Sequence, residues 1–235
     1  MSNHPAFWDQ RHFAEHGSVE NTFIRAVYGW MFAGLLLSAL AALWTIASAP
    51  MRQLVLGTPG IFLALLVAEL GLVFWLSAGV ARMGPSTAAG VFLVYSLMNG
   101  LTLSGILLAY ATATIVPAFM VAASMFGVMS LLGYIARRDL ASLGGFLTMA
   151  LVGIVIASVV NLFLRLDSVM FLISVFGVFV FAGLTAWDTQ KMKTISAEAG
   201  NDARFAIVGA LALYLDFLNL FLMLLQLFGG RRRNR

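Results

Sequence analysis

Asp216 stands alone in the stretch 205–230, which is otherwise free of charge. A carboxylate at the centre of a lipid-embedded helix costs roughly 2.5 to 3.5 kcal/mol on insertion scales, so such a residue faces a protein interior or a watery cavity and finds a partner there. Asp188 and Glu69 have comparably apolar neighbours in sequence. Acids placed this way can take up and release protons, line a path for cations, or brace helices against one another.

Asp188 lies 12 residues before the turn expected near 200–202, and Asp216 lies 14 residues beyond it. Gly200 is a good helix terminator and Asp202 a good start for the next helix. At about 1.5 Å per residue the two acids sit roughly 18 and 21 Å from the turn, at a similar height on adjoining antiparallel helices. If they face each other they cannot both be ionised cheaply, and the pair would share a proton near neutral pH. Such a pair is a proton-operated switch. Asp216, Asn219, Met223 and Gln226 form one stripe along the last helix. A polar stripe implies a partner face or a path for water and ions, to which Glu69 would add a third carboxylate. The plainer reading has Asp188 and Asp216 only holding helices together, as Asn99 and Asn161 are expected to do.

The elements that position these residues follow from composition. The chain has 235 residues, is 61% hydrophobic and only 10% charged, and its mean hydropathy is +0.96. It is an all-α, polytopic membrane protein. Runs between charges and turn residues give seven spans, at 26–49, 56–80, 87–110, 114–136, 140–164, 168–195 and 203–228, each long enough for the roughly 20 residues a crossing needs. A polar tail, 1–25, precedes the seven-helix domain, 26–228, and a basic tail, 229–235, follows it. The hairpin between the third and fourth spans is expected within Ala111 to Pro117. Small residues four apart, Gly34, Ser38 and Ala42 in one span and Gly153 and Ala157 in another, predict close helix approach.

Arg11, Arg25, Arg82, Arg137, Arg138, Lys191, Lys193 and Arg204 fall on the side of the amino terminus, against Arg52 and Arg165 on the other. That asymmetry puts the amino terminus in the cytoplasm. Lys191 and Lys193 are expected to snorkel. His4, His12 and His16 lie in the amino-terminal tail and are assigned no function. Arg231, Arg232, Arg233 and Arg235 form a membrane-flanking cluster that attracts anionic lipid, and not a nucleic-acid footprint. Without cysteine, thiol catalysis, thiolate metal sites and disulfides are excluded. An intramembrane aspartyl protease would need a Gly-x-Gly-Asp that Tyr214-Leu215-Asp216 does not supply, so no catalytic residues are expected and the protein is not read as an enzyme.

Leu213-Tyr214-Leu215-Asp216-Phe217-Leu218-Asn219-Leu220-Phe221, together with Trp187-Asp188-Thr189-Gln190, resembles the closing signature of the Bax inhibitor-1 family. Gly29-Trp30-Met31 and Glu69 agree with it. The resemblance implies seven helices with the last one central and ringed by the other six, in a bacterial inner membrane. It implies a pH-sensitive calcium leak in which Asp188 and Asp216 form the proton-sensing pair and Glu69 and Asn219 line the ion path. A helix 2 arginine latches the family's sixth helix when closed; the aligned position here is Val80, and Arg82 stands two residues on. Calcium, which suits hard oxygen ligands such as the Asp188 and Asp216 carboxylates and neighbouring carbonyls, is expected as permeant ion rather than cofactor, and the protein as a monomer. Some bacterial members bind a membrane-embedded ATP-dependent protease, the alternative role.

Overall fold

The computed structural model describes residues 7–200 and 202–229, with side chains from residue 20 onward. His4 and the four carboxyl-terminal arginines lie outside the described residues, as do the side chains of Arg11, His12 and His16. The helices are α1 Phe7–Ala47, α2 Ala49–Leu56, α3 Pro59–Gly79, α4 Pro85–Ala109, α5 Thr112–Ile135, α6 Ala141–Leu164, α7 Asp167–Ala199 and α8 Ala203–Phe228. All but the eight-residue α2 are long and apolar enough to cross a membrane, the crossing part of α1 being Glu20–Ala47. The fold is the all-α, seven-span bundle expected.

Helix ends are written locally. Ser48 caps α2 and Thr58 precedes α3, each with a proline in the first helical positions. Arg165 ends α6 in a left-handed conformation, and Gly200 ends α7 at φ +60. Two expectations are corrected here. The hairpin between the third and fourth spans is tighter than 111–117: only Tyr110 and Ala111 leave helical geometry, and Pro117 lies inside α5. A proline this near an amino terminus forfeits a single backbone bond, which the helix tolerates. Similarly, α1 reaches back to Phe7 through most of the segment read as a polar tail.

The most enclosed helix is α8, which packs against α1, α4, α5 and α7. The ring around it is incomplete, because α3 packs chiefly on α4 and α6 on α7. Phe163, Phe74, Phe179 and Met149 stand on the outside, each at least 70% exposed. Such a surface suits hydrocarbon and not water. The stripe Gly34, Ser38 and Ala42 does mediate close approach: a methyl on Gly34 would meet Phe92 and Ser96 of α4. Gly153, by contrast, faces open space, so Gly153 and Ala157 make no tight seam. They line an apolar groove between α6 and α7 instead.

Asp202 starts α8 by accepting the Arg204 backbone N–H at 3.0 Å, and its carboxylate pairs with the Arg204 guanidinium at 2.6 Å. The guanidinium holds the Asp202 carboxyl below its ordinary value of 3.8. A depressed folded value means that this support is complete above 3.8 and fades as pH falls through the lower folded value. Because water still reaches and screens the half-buried ion pair, the capping bond carries most of the effect. Asp202→Ala is expected to cost about 1 kcal/mol near neutral pH. The thermal midpoint in detergent should drop by a few degrees there and by less in strong acid; an equal drop at both would show that the carboxylate is not the source.

Candidate functional site

Asp188 and Asp216 meet across the α7–α8 interface. Their carboxyls are close enough to act on each other electrostatically. Asp216 is 5% exposed and Asp188 half-buried. Asp216 Oδ2 is buried and receives no bond from any donor group among the described residues. Two carboxylate oxygens both accept, so only a proton held between them makes the contact attractive. The antiparallel register that brings the two together continues in both directions. Ser174 Oγ donates to Gln226 Oε1 at 2.8 Å towards one end, and Met192 lies against Gly209 towards the other.

The four residues around Asp188 each face a different neighbour. Successive positions on a helix turn by 100°, so four of them sample nearly the whole circumference. Trp187 covers Gly144 of α6, where a methyl would collide with its ring. Asp188 faces α8. The Thr189 hydroxyl lies 3.1 Å from Ser130 of α5 and 3.3 Å from Tyr28 of α1, and Tyr28 and Ser130 bond each other. Gln190 accepts the Leu140 N–H and donates to the Arg138 carbonyl, both at 2.8 Å, which fastens the α5–α6 loop. At this level α7 is gripped from every side, so Asp188 cannot turn without disturbing three other contacts.

Glu69 belongs to a second polar centre on the far side of α8. It is buried on α3, where it accepts from Thr102 Oγ1 at 3.0 Å and Asn99 Nδ2 at 3.4 Å. The Tyr214 hydroxyl donates to Asn99 Oδ1 at 3.1 Å and lies 2.6 Å from Ser38 Oγ, which donates to the Ser96 carbonyl at 2.7 Å. Glu69 therefore reaches α8 through Asn99 and Tyr214. It does not join Asp188 and Asp216, and α3 and α8 are not among the principal packing partners.

Asn219 lies on the Asp216 stripe and donates to Leu215 O of its own helix at 2.8 Å. Arg82 is exposed at the end of a 3-10 turn, Val80–Arg82. Among the described residues it forms no ion pair. The carbonyls on either side of it, Ala81 and Met83, accept from Arg204 at 3.3 and 3.4 Å, so the clasp on this turn comes from the start of α8. Lys193 does not snorkel freely: it donates to Tyr134 O at 3.0 Å and lies over that ring. Lys191 is exposed beside the Trp187 ring. Asn161 caps its own helix end by accepting the Leu166 N–H at 3.1 Å, a local bond where an interhelical one was expected.

Among the described residues no cluster of three or more acids or histidines could hold a metal. Two carboxyls offer at most four oxygens where calcium takes six to eight. Asp188 and Asp216 thus suit transient contact with a partly hydrated ion better than a permanent cage. The Tyr214 hub escaped the sequence reading, although Ser96, Asn99 and Thr102 recur at three-residue spacing, a polar face on α4 that an apolar span has no other use for.

The sequence pattern of a family described as inhibitor of apoptosis-promoting Bax1 matches residues 20–233. The inner membrane protein YbhL of Escherichia coli strain K12 is 45% identical over 216 residues, 90% of this chain and 92% of that one. An uncharacterized protein of Rickettsia prowazekii, RP147, is 43% identical over 213 residues, 89% of this chain and 90% of that one. An uncharacterized membrane protein of Streptococcus pyogenes serotype M6 is 37% identical over 217 residues, with 89% and 93% covered.

Proposed function

The chain belongs to the family described as inhibitor of apoptosis-promoting Bax1, and from that premise we propose that it is a proton-gated leak for calcium in a bacterial inner membrane, a transport protein and not an enzyme. The observation that carries this reading is the contact between the Asp188 and Asp216 carboxyls in the middle of an apolar helix pair. Structural glue needs no charge at that position; asparagine or threonine would brace the helices with less desolvation. A pair joined by one proton has two states of different charge. Loss of the proton sets like charges against each other across the α7–α8 interface, and its return restores the attraction, which biases a closed-to-open equilibrium. The inner-membrane location follows the name of the Escherichia coli relative, and the cytoplasmic amino terminus follows the distribution of Arg and Lys. The protein acts as a monomer, with lipid around it.

Calcium entry into proteoliposomes of the purified wild-type protein, followed with an internal dye across about pH 6 to 8, tests the proposal. Flux that changes with pH supports it. No flux at any pH rejects it and moves the alternative, restraint of a membrane-embedded ATP-dependent protease, to first place, to be sought by co-purification.

A further inference from the structure

A cavity of about 400 Å³ opens where α6 ends and α7 begins. Its walls are largely apolar, among them Leu162, Met170 and Met223, but Asn161, Arg165, Asp167 and Gln226 add polar and charged groups at which water and ions can gather. On the α8 stripe Met223 is the boundary between this cavity and the carboxyl pair. It stands seven residues from Asp216, two helical turns or about 10 Å, with Asn219 between them. Its side chain sits where Gly177 of α7 has none: a methyl built on Gly177 would lie 2.6 Å from Met223 Sδ and 2.7 Å from Cγ. The thioether therefore lies within the helix interface itself. Methionine is unbranched and flexible, so it can leave such a notch by rotating about its own bonds.

We propose that Met223, seated in the notch at Gly177, is an apolar plug between this cavity and the Asp188–Asp216 pair, and that a hydrated cation reaches the pair from this side only when the plug leaves its seat. The assignment deepens the leak reading and rests on it. Apolar constrictions close by excluding water, and one side chain suffices where two helices are already in contact.

The chain contains no cysteine, so single cysteines report access without background. In proteoliposomes at one fixed pH, Gln226→Cys in the cavity should react with a charged, membrane-impermeant thiol reagent. Asn219→Cys, inside the plug, should react at least about tenfold more slowly. Adding Met223→Ala should bring Asn219→Cys to within about threefold of Gln226→Cys, whereas Met223→Leu should keep it protected. If Met223→Ala does not fold, Met223→Val, shorter but still apolar, gives the same comparison. Equal rates for Asn219→Cys and Gln226→Cys with Met223 in place, or continued protection after shortening, overturn the plug. Labelling needs no flux, so the two readings fail separately: a wild-type protein silent to calcium with this labelling pattern defeats the leak, and pH-gated flux without the pattern defeats the plug.

Discussion

Calcium entry mediated by Asp216→Asn is expected to run at one rate across about pH 6 to 8, because the pair no longer has a proton to share. The wild-type rate should vary over the same range by up to about tenfold per pH unit, because a single proton contributes at most about 1.36 kcal/mol per unit to a coupled equilibrium. The substitution isolates the charge. Asparagine keeps the size of the side chain and can donate to Asp188, so the α7–α8 contact survives without a titratable proton between its members. Asp188→Asn should behave in the same way, since the property belongs to the pair. A retained pH dependence in both single variants would place the sensor elsewhere, and the carboxyl contact would then be a structural tie.

Asn99→Leu is expected to be the most destabilising single change in the second polar centre. The side chain donates to Glu69 and accepts from Tyr214, so its removal deprives two groups at once. Glu69 is 7% exposed and Tyr214 fully buried. Each buried polar group left unsatisfied costs about 1 to 3 kcal/mol. The loss should total roughly 2 to 6 kcal/mol, less whatever Thr102 and Ser38 recover by bonding more closely. Glu69→Gln, which can still accept from Thr102, should cost under about 1 kcal/mol. Thermal midpoints of the two variants in one detergent decide the matter. If Glu69→Gln is the more damaging, the charge on Glu69 matters to the fold more than the hub does.

The spans could be read from the sequence because each is a long apolar run broken by charge, glycine or proline, and every expected crossing has its helix. Asp188 and Asp216 could be paired from the sequence for a simple reason: a hairpin with a definite turn fixes the relative height of residues on its two arms. Glu69 could not be placed in the same way. Its partners on α4 and α8 are separated from it by loops whose geometry no periodicity encodes, and height in the membrane does not say which side of a central helix a residue faces. The Arg82 latch rested on an alignment offset of two residues, and in the 3-10 turn Val80–Arg82 two residues rotate a side chain by about 240°. Met223 read only as one more position on the Asp216 stripe; its seat is visible only when Gly177 lies opposite.

The most enclosed helix, α8, is synthesised after the six spans that precede it. Until it arrives, those six cannot close into their final bundle. Ser38 and Asn99 await Tyr214, and the α5 rings Phe119 and Phe126 await Phe217. The incomplete sleeve would present those polar groups to lipid, a state that membrane quality control is equipped to recognise. Biogenesis of this protein should therefore be committed late: a nascent chain arrested before residue 203 ought to be degraded rather than accumulate, while α8 supplied as a separate polypeptide ought to rescue it.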